Sequence, residues 1–364
     1  MNMKNKRIVF VISSLSSGGA ERVISIIANY FAYKKYQVAI VTFYHKTHDW
    51  YPLNKDVVRI VTGYTRGQKK LDIIRNYFKK ILRLRKIFIE LNPDVIISFL
   101  TEVNIITLLA AFRLGTKVII SERVDPTLHK TILPIWKWLR RLTYPRADYL
   151  VVQTKRVCDY YSEWPGLKIA IVPNPVLSPE KIRDVRMILK KPFIVAMGRL
   201  TFQKGFDLLI ESFSKLAKKY PKWNLVVIGE GEKRRELEQL ISHFGLNSRI
   251  SLIGKVKNPQ TILRQADIFV LSSLFEGFPN ALLEAMACGL PVISFNCPSG
   301  PAEIIRYNYD GILVPPENIN VLSLAMDKLI SDKLLRQKLG ENAKQVTKRF
   351  SVEKIMEQWE RLFD

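Results

Sequence analysis

The sequence predicts an α/β protein that contains two doubly wound parallel sheets. Its apolar residues gather in short, nearly continuous runs bounded by turn residues, which is typical of strands covered by helices on both faces. Helical patterns separate these runs, and the alternation of strand and helix occurs twice along the 364 residues. A chain of this length also exceeds what one hydrophobic core usually organises. The predicted strands are Ile8–Ser13, Gln37–Phe43, Val57–Val61, Val95–Phe99, Val118–Ser121, Tyr149–Gln153, Ile169–Val172, Phe193–Met197, Leu225–Ile228, Ile250–Ile253, Ile268–Leu271, Val292–Phe295 and Ile312–Val314.

A proline-rich segment marks the boundary between the two predicted halves. Pro173, Pro175 and Pro179 interrupt a polar stretch, and a new strand pattern begins after Pro192. Proline density and polarity of this kind are typical of a linker. The expected divisions are a first Rossmann-like domain at 1–172, a linker at 173–190, a second Rossmann-like domain at 191–349 and an amphipathic helix at about 350–364.

The net charge is strongly positive and unevenly distributed. The chain carries +24 overall; residues 1–180 hold 29 Lys and Arg against 13 Asp and Glu, a net of +16, and residues 181–364 hold 28 against 20, a net of +8. Such an excess attracts polyanions, which include nucleic acids, anionic lipid head groups and phosphorylated substrates. Composition alone does not choose among these partners.

Cysteine, histidine and hydropathy exclude several classes of protein. The three cysteines are too few and too scattered for a disulfide framework or a zinc site, and they fit a reducing cytoplasm. The four histidines show no ligand spacing, so no metal site is predicted. No stretch reaches the roughly 18 apolar residues that a spanning helix needs, and the short run Ile8–Ile12 favours a strand over a signal peptide. We expect a cytoplasmic protein that is not integral to a membrane.

The most specific motif is the segment 276–289, EGFPNALLEAMACG, which follows the predicted strand Ile268–Leu271. Open α/β sheets bind ligands at the carboxyl ends of their strands, and a helix N-terminus offers backbone N–H groups to a phosphate. Glu276 lies before the predicted helix, and Glu284 lies within its apolar sequence. Carboxylates are rarely buried without partners, and ligand hydroxyls would be such partners. The alternative is a surface helix with one solvated glutamate.

A second motif, Met197–Gly205, places two cations on a turn after another predicted strand. Arg199 and Lys204 suit a diphosphate, because arginine offers a planar fork of donors and lysine a mobile point charge. The alternative interpretation is two solvated loop cations in a chain that contains many.

A glycine pair, Gly18 and Gly19, follows the first predicted strand. Glycines at a strand-to-helix turn let the backbone approach a ligand, with N–H groups directed at an anion. A full G-x-G-x-x-G pattern is absent, so a plain tight turn is the alternative.

Together these motifs make the sequence resemble glycosyltransferase family 4, a group of retaining, metal-independent enzymes with the GT-B fold. The resemblance covers almost the whole chain and implies two Rossmann-like domains that face a cleft, with the C-terminal helix crossing back to the first domain. It also implies the bacterial type of enzyme that builds O-antigen, capsule or lipid-linked oligosaccharides. The motifs that carry it are GGAER at 18–22, GRLTFQKG at 198–205, VIGEGEKR at 227–234, the E-x7-E segment at 276–284 with MACGLPV after it, and DGILV at 310–314.

The resemblance implies a role for each motif residue. As catalytic residues, Arg199 and Lys204 would hold the diphosphate of a nucleotide-sugar donor, and Glu276 would hold hydroxyls of the transferred sugar. Glu284 would bind the ribose. No enzyme nucleophile is evident, so the acceptor would attack on the face that the diphosphate leaves; no cofactor is implied apart from the donor. The remaining donor-binding residues would be Gly18, Gly19, Gly198, Gly229, Val256, Phe278, Pro279 and Asn280.

One position departs from the family pattern. Many members carry a histidine near the sugar, at the end of the strand that corresponds to Val118–Ser121, whereas this sequence continues with Glu122 and Arg123. A subgroup of polysaccharide transferases looks similar. Glu122 and Arg123 are therefore candidates for orienting the donor sugar or binding an acceptor phosphate. His129 lies nearby and is interpreted as an ordinary surface residue.

Two basic segments in the first half predict contact with an anionic membrane surface. Lys69–Glu90 has apolar residues at 71, 74, 78, 81, 82 and 88 and eight Lys and Arg, as in helices that lie in a lipid interface. Ile132–Arg146 adds Trp136 and Trp138 beside further cations, which is an interfacial composition. The alternative for the first segment is a helix packed on the core with a solvated cationic face.

The expected function is transfer of a hexose or N-acetylhexosamine from a UDP-linked sugar to a glycan acceptor on polyprenyl diphosphate, at the inner face of the cell membrane. Two rival hypotheses remain at this point. A nucleic-acid-binding protein would explain the charge, although the sequence shows neither a recognition helix nor aromatic–basic interleaving. A non-transferring sugar-nucleotide enzyme of the same fold, such as an epimerase, would explain the motifs.

Overall fold

A computed structural model describes residues 6–44, 49–63, 70–128, 133–179 and 189–364, without the side chains of 70–74. The chain divides into two compact units. Unit 1 comprises Met1–Pro175 together with Val352–Asp364, and unit 2 comprises Val176–Ser351. The division at Pro175 falls inside the predicted linker, of which residues 180–188 lie outside the described part of the chain.

Unit 1 is built on a seven-stranded parallel sheet with the order β3-β2-β1-β4-β5-β6-β7. Its central strands are buried along almost their whole length, because helices cover both faces. The strands are β1 (Arg7–Ile12), β2 (Gln37–Thr42), β3 (Val57–Val61), β4 (Val95–Phe99), β5 (Lys117–Ser121), β6 (Tyr149–Val152) and β7 (Ile169–Ile171). The helices are α1 (Gly19–Tyr33), α2 (Lys70–Leu91), α3 (Thr101–Ala110), α4 (Pro134–Thr143) and α5 (Lys155–Ser162).

Unit 2 is built on a six-stranded parallel sheet with the order β10-β9-β8-β11-β12-β13. Its strands are β8 (Phe193–Met197), β9 (Asn224–Ile228), β10 (Ile250–Leu252), β11 (Ile268–Leu271), β12 (Val292–Phe295) and β13 (Ile312–Val314). Its helices are α6 (Phe206–Ala217), α7 (Arg234–His243), α8 (Gln260–Leu263), α9 (Asn280–Ala287), α10 (Pro301–Ile304), α11 (Ile319–Ser331), α12 (Lys333–Ala343) and α13 (Val346–Arg349).

The last helix, α14 (Val352–Glu360), belongs to unit 1. The Trp359 ring stacks on Phe99 at the end of β4, with 6.1 Å between centroids. Phe363 packs against Phe31 of α1 at 5.1 Å. The chain therefore returns to its first unit after completing the second, as the family resemblance implies.

Each sheet reverses its strand order at one point. In unit 1 the reversal lies between β1 and β4, and in unit 2 it lies between β8 and β11. Open α/β sheets bind ligands outside the carboxyl ends of the strands at such a point. The loops that follow these four strands are therefore where a site is expected.

The fold class and all thirteen predicted strands are confirmed, and every strand end lies within one residue of its prediction. Within the described residues, no helix combines the length and apolar character required to cross a membrane. No three His, Cys, Asp or Glu side chains of that part of the chain cluster in a way that could hold a metal ion.

Candidate functional site

The loop after β8 carries Lys204 on a short, rigid turn. Residues 202–204 form one 3-10 turn, which ends at Gly205 in the left-handed region with φ +55°. A Cβ at Gly205 would overlap the carbonyl oxygen of Ser272, so only glycine fits this position. The Ser272 hydroxyl donates to the carbonyl oxygen of Lys204 at 2.9 Å, and Leu274 N–H donates to the carbonyl of Gln203 at 2.9 Å. The β8 loop is thus fixed to the loop after β11.

The loop after β11 brings Glu276 against Lys204. The Lys204 ammonium donates to Glu276 Oε1 at 2.5 Å, and the side chains are only 15% and 7% exposed. The Ser299 hydroxyl, from the loop after β12, donates to the carbonyl of Gly277 at 3.2 Å and so holds the backbone next to Glu276. Two of the three residues predicted to be catalytic are therefore in direct contact at the strand-order reversal of unit 2.

Arg199, the third of these residues, lies on the same loop as Lys204 and its side chain is exposed. Gly198 precedes it, and a Cβ on Gly198 would lie 3.0 Å from Lys204 Cδ. The stem of Lys204 therefore runs across the backbone at Gly198. The exposed guanidinium and the paired ammonium give this loop one cation open to solvent and one held in place.

The loops after β9 and β10 complete the carboxyl edge beside β8. Gly229 N–H donates to the carbonyl of Gly254 at 2.8 Å, and a Cβ on Gly229 would overlap the carbonyl oxygen of Gly198. Glu230 accepts two hydrogen bonds from the Arg234 guanidinium, at 2.8 and 2.5 Å. Val256, which is half-buried, follows two residues after Gly254.

The helix α9 carries Glu284 into the interior of unit 2. Glu284 is 5% exposed, and its Oε2 accepts a hydrogen bond from Gln260 Nε2 at 3.0 Å. The alternative of a surface helix with a solvated glutamate is therefore wrong. Phe278 and Pro279 are buried before the helix, and Asn280 at its first turn is half-buried.

In unit 1, Gly18 and Gly19 lie at the N-terminus of α1, as predicted. The Glu21 carboxylate folds over this turn: it accepts from the Ser16 hydroxyl at 3.1 Å and occupies the space in which a Cβ on Gly18 would lie. A phosphate at this turn would therefore meet a side chain of the same charge. The donor-binding role of the two glycines stays a prediction.

Glu122 is bound inside unit 1 by other side chains. Its carboxylate accepts from Thr101 Oγ1, 2.9 Å from each oxygen, and from the Tyr144 hydroxyl. Glu122 is 3% exposed, and burial raises the pKa of its carboxyl, against the lowering effect of Tyr144, Arg140 and Thr101. Its hydrogen-bonding capacity is directed at the protein itself.

Arg123 stacks on Phe99, with its guanidinium carbon 3.9 Å from the ring centroid, and donates to Asn174 Oδ1 at 2.7 Å. Burial lowers the pKa of Arg123 to about 9. Its Nε and Nη2 are buried and have no hydrogen-bond partner within the described residues. The predicted roles of Glu122 and Arg123 toward donor or acceptor stay predictions, while His129 lies outside the described residues.

The basic helix α2 has an inner face and an outer face. Leu84, Ile87 and Phe88 are buried in the core of unit 1, as the core-packed alternative requires. Lys80 is also buried, with its ammonium 4.8 Å from the centroid of the Tyr77 ring. Arg85 is likewise bound to the protein, because it donates to the carbonyls of Ala110 and Phe112.

The outer face of α2 nevertheless presents an apolar stripe among cations. Phe78, Leu82 and Ile89 are each more than half exposed, and Arg75, Lys79, Arg83 and Lys86 are exposed around them. The helix α4 repeats this pattern with exposed Ile135, Trp138 and Leu142 beside Lys137 and Arg141. A contact between the Tyr77 and Trp136 rings, with 4.9 Å between centroids, joins the two helices. We call these exposed side chains of α2 and α4 the outer surface.

Sequence reasoning missed residues whose partners are distant along the chain. Gln260 binds the buried Glu284 and Tyr144 binds the buried Glu122, and neither stands in a recognisable motif. Cys297, after β12, is another: burial, with the charge of Glu276 adding to it, raises the pKa of its thiol to about 12, so the thiol stays protonated. Only the tertiary structure brings these side chains to the site.

Comparison with known proteins identifies the family. Residues 178–346 match Glycosyl transferases group 1, and residues 17–176 match Glycosyltransferase Family 4. The chain is 30% identical over 357 residues to a Campylobacter jejuni enzyme, GalNAc-alpha-(1->4)-GalNAc-alpha-(1->3)-diNAcBac-PP-undecaprenol alpha-1,4-N-acetyl-D-galactosaminyltransferase. The alignment covers 98% of each chain. The chain is a GT-B glycosyltransferase of the family 4 type.

Solved structures agree with this assignment at the level of the fold. The glycosyltransferase matches sucrose-phosphate synthase from Thermosynechococcus elongatus with a TM-score of 0.85 at 17% identity, over 98% of each chain. It matches HepE from Anabaena, solved in complex with UDP, with a TM-score of 0.79 at 17% identity, again over 98% of each chain. The family assignment accounts for the motifs of unit 2, which a nucleic-acid-binding function would leave unexplained.

Proposed function

We propose that this glycosyltransferase transfers a hexose or an N-acetylhexosamine, with retention, from a UDP-linked sugar to a glycan carried on polyprenyl diphosphate. The observation that carries the proposal is the ion pair of Lys204 and Glu276 at the strand-order reversal of unit 2. An ammonium and a carboxylate that are both mostly buried, on loops that glycines and hydrogen bonds fix in place, form a preorganised polar site. The biosynthetic setting would be O-antigen, capsule or glycoprotein-glycan assembly.

The donor would lie along the carboxyl edge of unit 2. Arg199 and Lys204 would bind the diphosphate, since one offers an open fork of donors and the other a fixed positive charge. Glu276 would accept from hydroxyls of the sugar, and the buried Glu284 from the ribose. Phe278, Pro279 and Asn280 would approach the sugar or phosphate, while Gly229 after β9 and Val256 in the loop after β10 would line the base. Gly198 would also contact the donor. The HepE complex with UDP supports the choice of nucleotide.

The chemistry would need no nucleophile from the protein. The acceptor hydroxyl attacks the anomeric carbon on the face that the diphosphate leaves; the bond from carbon to the β-phosphate oxygen breaks, its electron pair stays on that oxygen, and the leaving phosphate takes the hydroxyl proton. Arg199 and Lys204 would stabilise the charge that develops on the phosphate, which is where an electrostatic contribution raises the rate. Glu276 would hold the sugar rather than attack it.

The acceptor class rests on the relative from Campylobacter jejuni, whose name specifies an α-1,4 linkage made on a PP-undecaprenol substrate. This chain matches that protein over 98% of its length. A polyprenyl-diphosphate glycan carries both a lipid and negative charge, and the excess of cations in the first half of this chain suits such a substrate.

A donor screen tests the proposed reaction. The full-length protein is incubated with each UDP-sugar and a synthetic polyprenyl-diphosphate oligosaccharide, and the product is analysed by mass spectrometry and anomeric NMR. We expect a mass increase of one hexose or N-acetylhexosamine and an α-linked product. Turnover of the donor without any acceptor would favour the non-transferring alternative, and a β-linked product would overturn retention.

The outer surface supports peripheral attachment to an anionic membrane. Exposed apolar side chains among cations on α2 and α4 are the composition of helices that lie in a lipid interface, and each cation near anionic lipid contributes about 1 kcal/mol. Lys79 and Arg83 are both exposed on the outer surface, so they are the cations to change.

Vesicle sedimentation tests this attachment. Lys79→Glu with Arg83→Glu is expected to lower the bound fraction on vesicles of phosphatidylglycerol and phosphatidylcholine. The control is Lys218→Glu with Lys222→Glu, which makes the same change of charge at exposed positions of unit 2. Equal binding by both double variants would mean that the outer surface does not contact lipid.

A further inference from the structure

The side chain of Gln260 is buried in unit 2, and the proposed reaction gives it no role. It is 7% exposed, and its Nε2 donates to Oε2 of Glu284 at 3.0 Å. Glutamine side chains are mostly exposed in folded proteins, and those that are buried are satisfied by hydrogen bonds. The partner of this one is the carboxylate that is proposed to bind the ribose, and that contact calls for an explanation.

Helix α8 fixes the backbone from which this amide extends. Gln260 is its first residue and directly follows Pro259, and Ile262 and Leu263 on the same turn are completely buried. Ile262 N–H donates to the carbonyl of Pro259, and Arg264 N–H donates to the carbonyl of Gln260, each at 3.0 Å. The amide therefore extends from a rigid turn.

Helix α9 fixes the backbone of Glu284 but leaves the orientation of its carboxylate open. Leu283 and Ala285, its neighbours along the helix, are buried and hold the backbone in place. The last torsion of a glutamate side chain is broad, so the packing of the helix does not set the plane of the carboxylate. A donor fixed on Oε2 restricts this rotation, and Gln260 is such a donor.

A neutral amide suits a carboxylate that must also bind a ligand. Hydroxyl groups bind an ionised carboxylate through short, charge-assisted hydrogen bonds, and an amide donor orients the carboxylate without cancelling its negative charge. The ring of a ribose holds its two neighbouring hydroxyls in one geometry, so their acceptor has to be oriented as well. Sites of this kind depend on supporting side chains that lock the group in contact with the ligand.

We propose that Gln260 is a positioning residue, which orients the Glu284 carboxylate toward the ribose hydroxyls of the nucleotide. The inference rests on the proposed function and deepens it, since it names a residue that determines recognition of the ribose. Gln260 acts through Glu284 and does not itself contact the donor. Its contribution is therefore present only for a nucleotide that carries these hydroxyls.

Titration of the full-length enzyme with UDP and with 2′,3′-dideoxy-UDP tests this role. Gln260→Met keeps the length of the side chain and removes the donor, and it is expected to raise the Kd for UDP about tenfold. The KM for the UDP-sugar should rise in the same proportion at unchanged kcat, because the lost contact is equal in the ground state and the transition state. The Kd for the dideoxy analogue, measured by competition, should stay within about twofold of that of the unchanged protein, since no hydroxyl remains for Glu284 to bind.

Two further variants separate this role from a general effect on the fold. Gln265→Met is the matched control: Gln265 Nε2 donates to the carbonyl of Thr261 at 2.8 Å, so the variant makes the same substitution and also loses a side-chain hydrogen bond. It should bind UDP as the unchanged protein does. Gln260→Asn keeps an amide on a side chain that is one carbon shorter, and it should weaken UDP binding as Gln260→Met does; it replaces that variant if thermal unfolding shows that methionine impairs folding.

Two results would overturn the positioning role. One is an unchanged Kd for UDP in the Gln260 variants. The other is a loss of affinity that is equal for UDP and its dideoxy analogue, because the substitution would then disturb unit 2 in general. The proposed function fails separately, if the unchanged protein transfers no sugar from a UDP-linked donor.

Discussion

The carboxyl edges of the two sheets use their charged residues in different ways. In unit 2 the edge at the reversal between β8 and β11 presents Lys204 and Glu276 to one another, with Arg199 exposed beside them. In unit 1 the carboxyl edge of the sheet buries Glu122, which follows β5, under Thr101 and Tyr144. In unit 2 the carboxylate binds a cation on a neighbouring loop. In unit 1 the carboxylate binds neutral hydroxyl donors.

This difference predicts that the charged residues of unit 2 bind substrate, whereas Glu122 of unit 1 has a structural role. A phosphate would offer Lys204 a new anionic partner, and sugar hydroxyls would offer Glu276 new donors. The Glu122 carboxylate is already bound by two hydroxyl donors inside unit 1, so its removal is expected to affect the fold. Changes at unit 2 should therefore alter kinetics as well as stability, whereas changes at Glu122 and its partners should alter stability alone.

The largest effect is expected from breaking the ion pair of unit 2. Lys204→Ala should lower kcat by about 10²–10³-fold, because one preorganised charge on the leaving phosphate is lost. Glu276→Ala should cost a similar factor and leave Lys204 buried without its partner. Steady-state kinetics with donor and acceptor measure both. Lys257→Ala removes an exposed cation from the loop after β10 and should keep full activity; equal losses in all three variants would contradict the comparison.

A second prediction concerns the close backbone contact that shapes the donor edge. Gly229→Ala should abolish donor binding and lower stability by about 1–3 kcal/mol, since the new Cβ would overlap the carbonyl of Gly198. Gly245→Ala provides the control: Gly245 also has a positive φ, of +66°, but open space surrounds it. That variant should lose about 1–2 kcal/mol from strain and still bind UDP. Calorimetric titration with UDP and thermal unfolding separate the two; donor binding by Gly229→Ala would refute the role of this contact.

The same contrast explains what could be predicted from sequence. The strands and the site loops of unit 2 are encoded by contiguous motifs, so Arg199, Lys204, Glu276 and Glu284 could be singled out along with the strands that position them. Their contact partners could not, because Gln260 reaches Glu284 only across the tertiary structure. In unit 1 the contacts of Glu122 are of that second kind. Glu122 stood out from the family pattern, but its burial depends on partners that lie 21 and 22 residues away.

For unit 1 we expect a loss of stability with little change in chemistry. Tyr144→Phe removes one of the two hydroxyls that donate to the buried Glu122, and losing a hydrogen bond to a buried carboxylate should cost about 1–3 kcal/mol. Tyr161→Phe removes a buried hydroxyl that has no hydrogen-bond partner within the described residues, so it should be neutral or stabilising. Chemical denaturation of both variants measures the difference. A loss of kcat in Tyr144→Phe at full stability would mean that the Glu122 network takes part in the reaction.

The smallest expected effect is a change in how stability depends on pH. Burial raises the pKa of Glu122 above its ordinary value, so between the ordinary and the raised value the folded protein binds a proton that the unfolded chain has lost. The free energy of unfolding should therefore fall as pH rises through this interval. Above the raised pKa, Glu122 is ionised in the folded protein and its full destabilising effect is present. Glu122→Gln carries no such charge, so its stability relative to the unchanged protein should increase as pH rises.

The difference in stability between Glu122→Gln and the unchanged protein is measured by thermal unfolding of both from acidic to neutral pH. Glu230→Gln should change stability in the opposite direction. Hydrogen bonds from Arg234 lower the pKa of Glu230, so the ionised carboxylate stabilises the folded protein above the ordinary carboxyl pKa, and the variant loses this stabilisation there. Parallel curves for Glu122→Gln and the unchanged protein would mean that burial does not raise the pKa of Glu122 above that of the unfolded chain. The prediction that this buried carboxylate lowers stability at neutral pH would then be wrong.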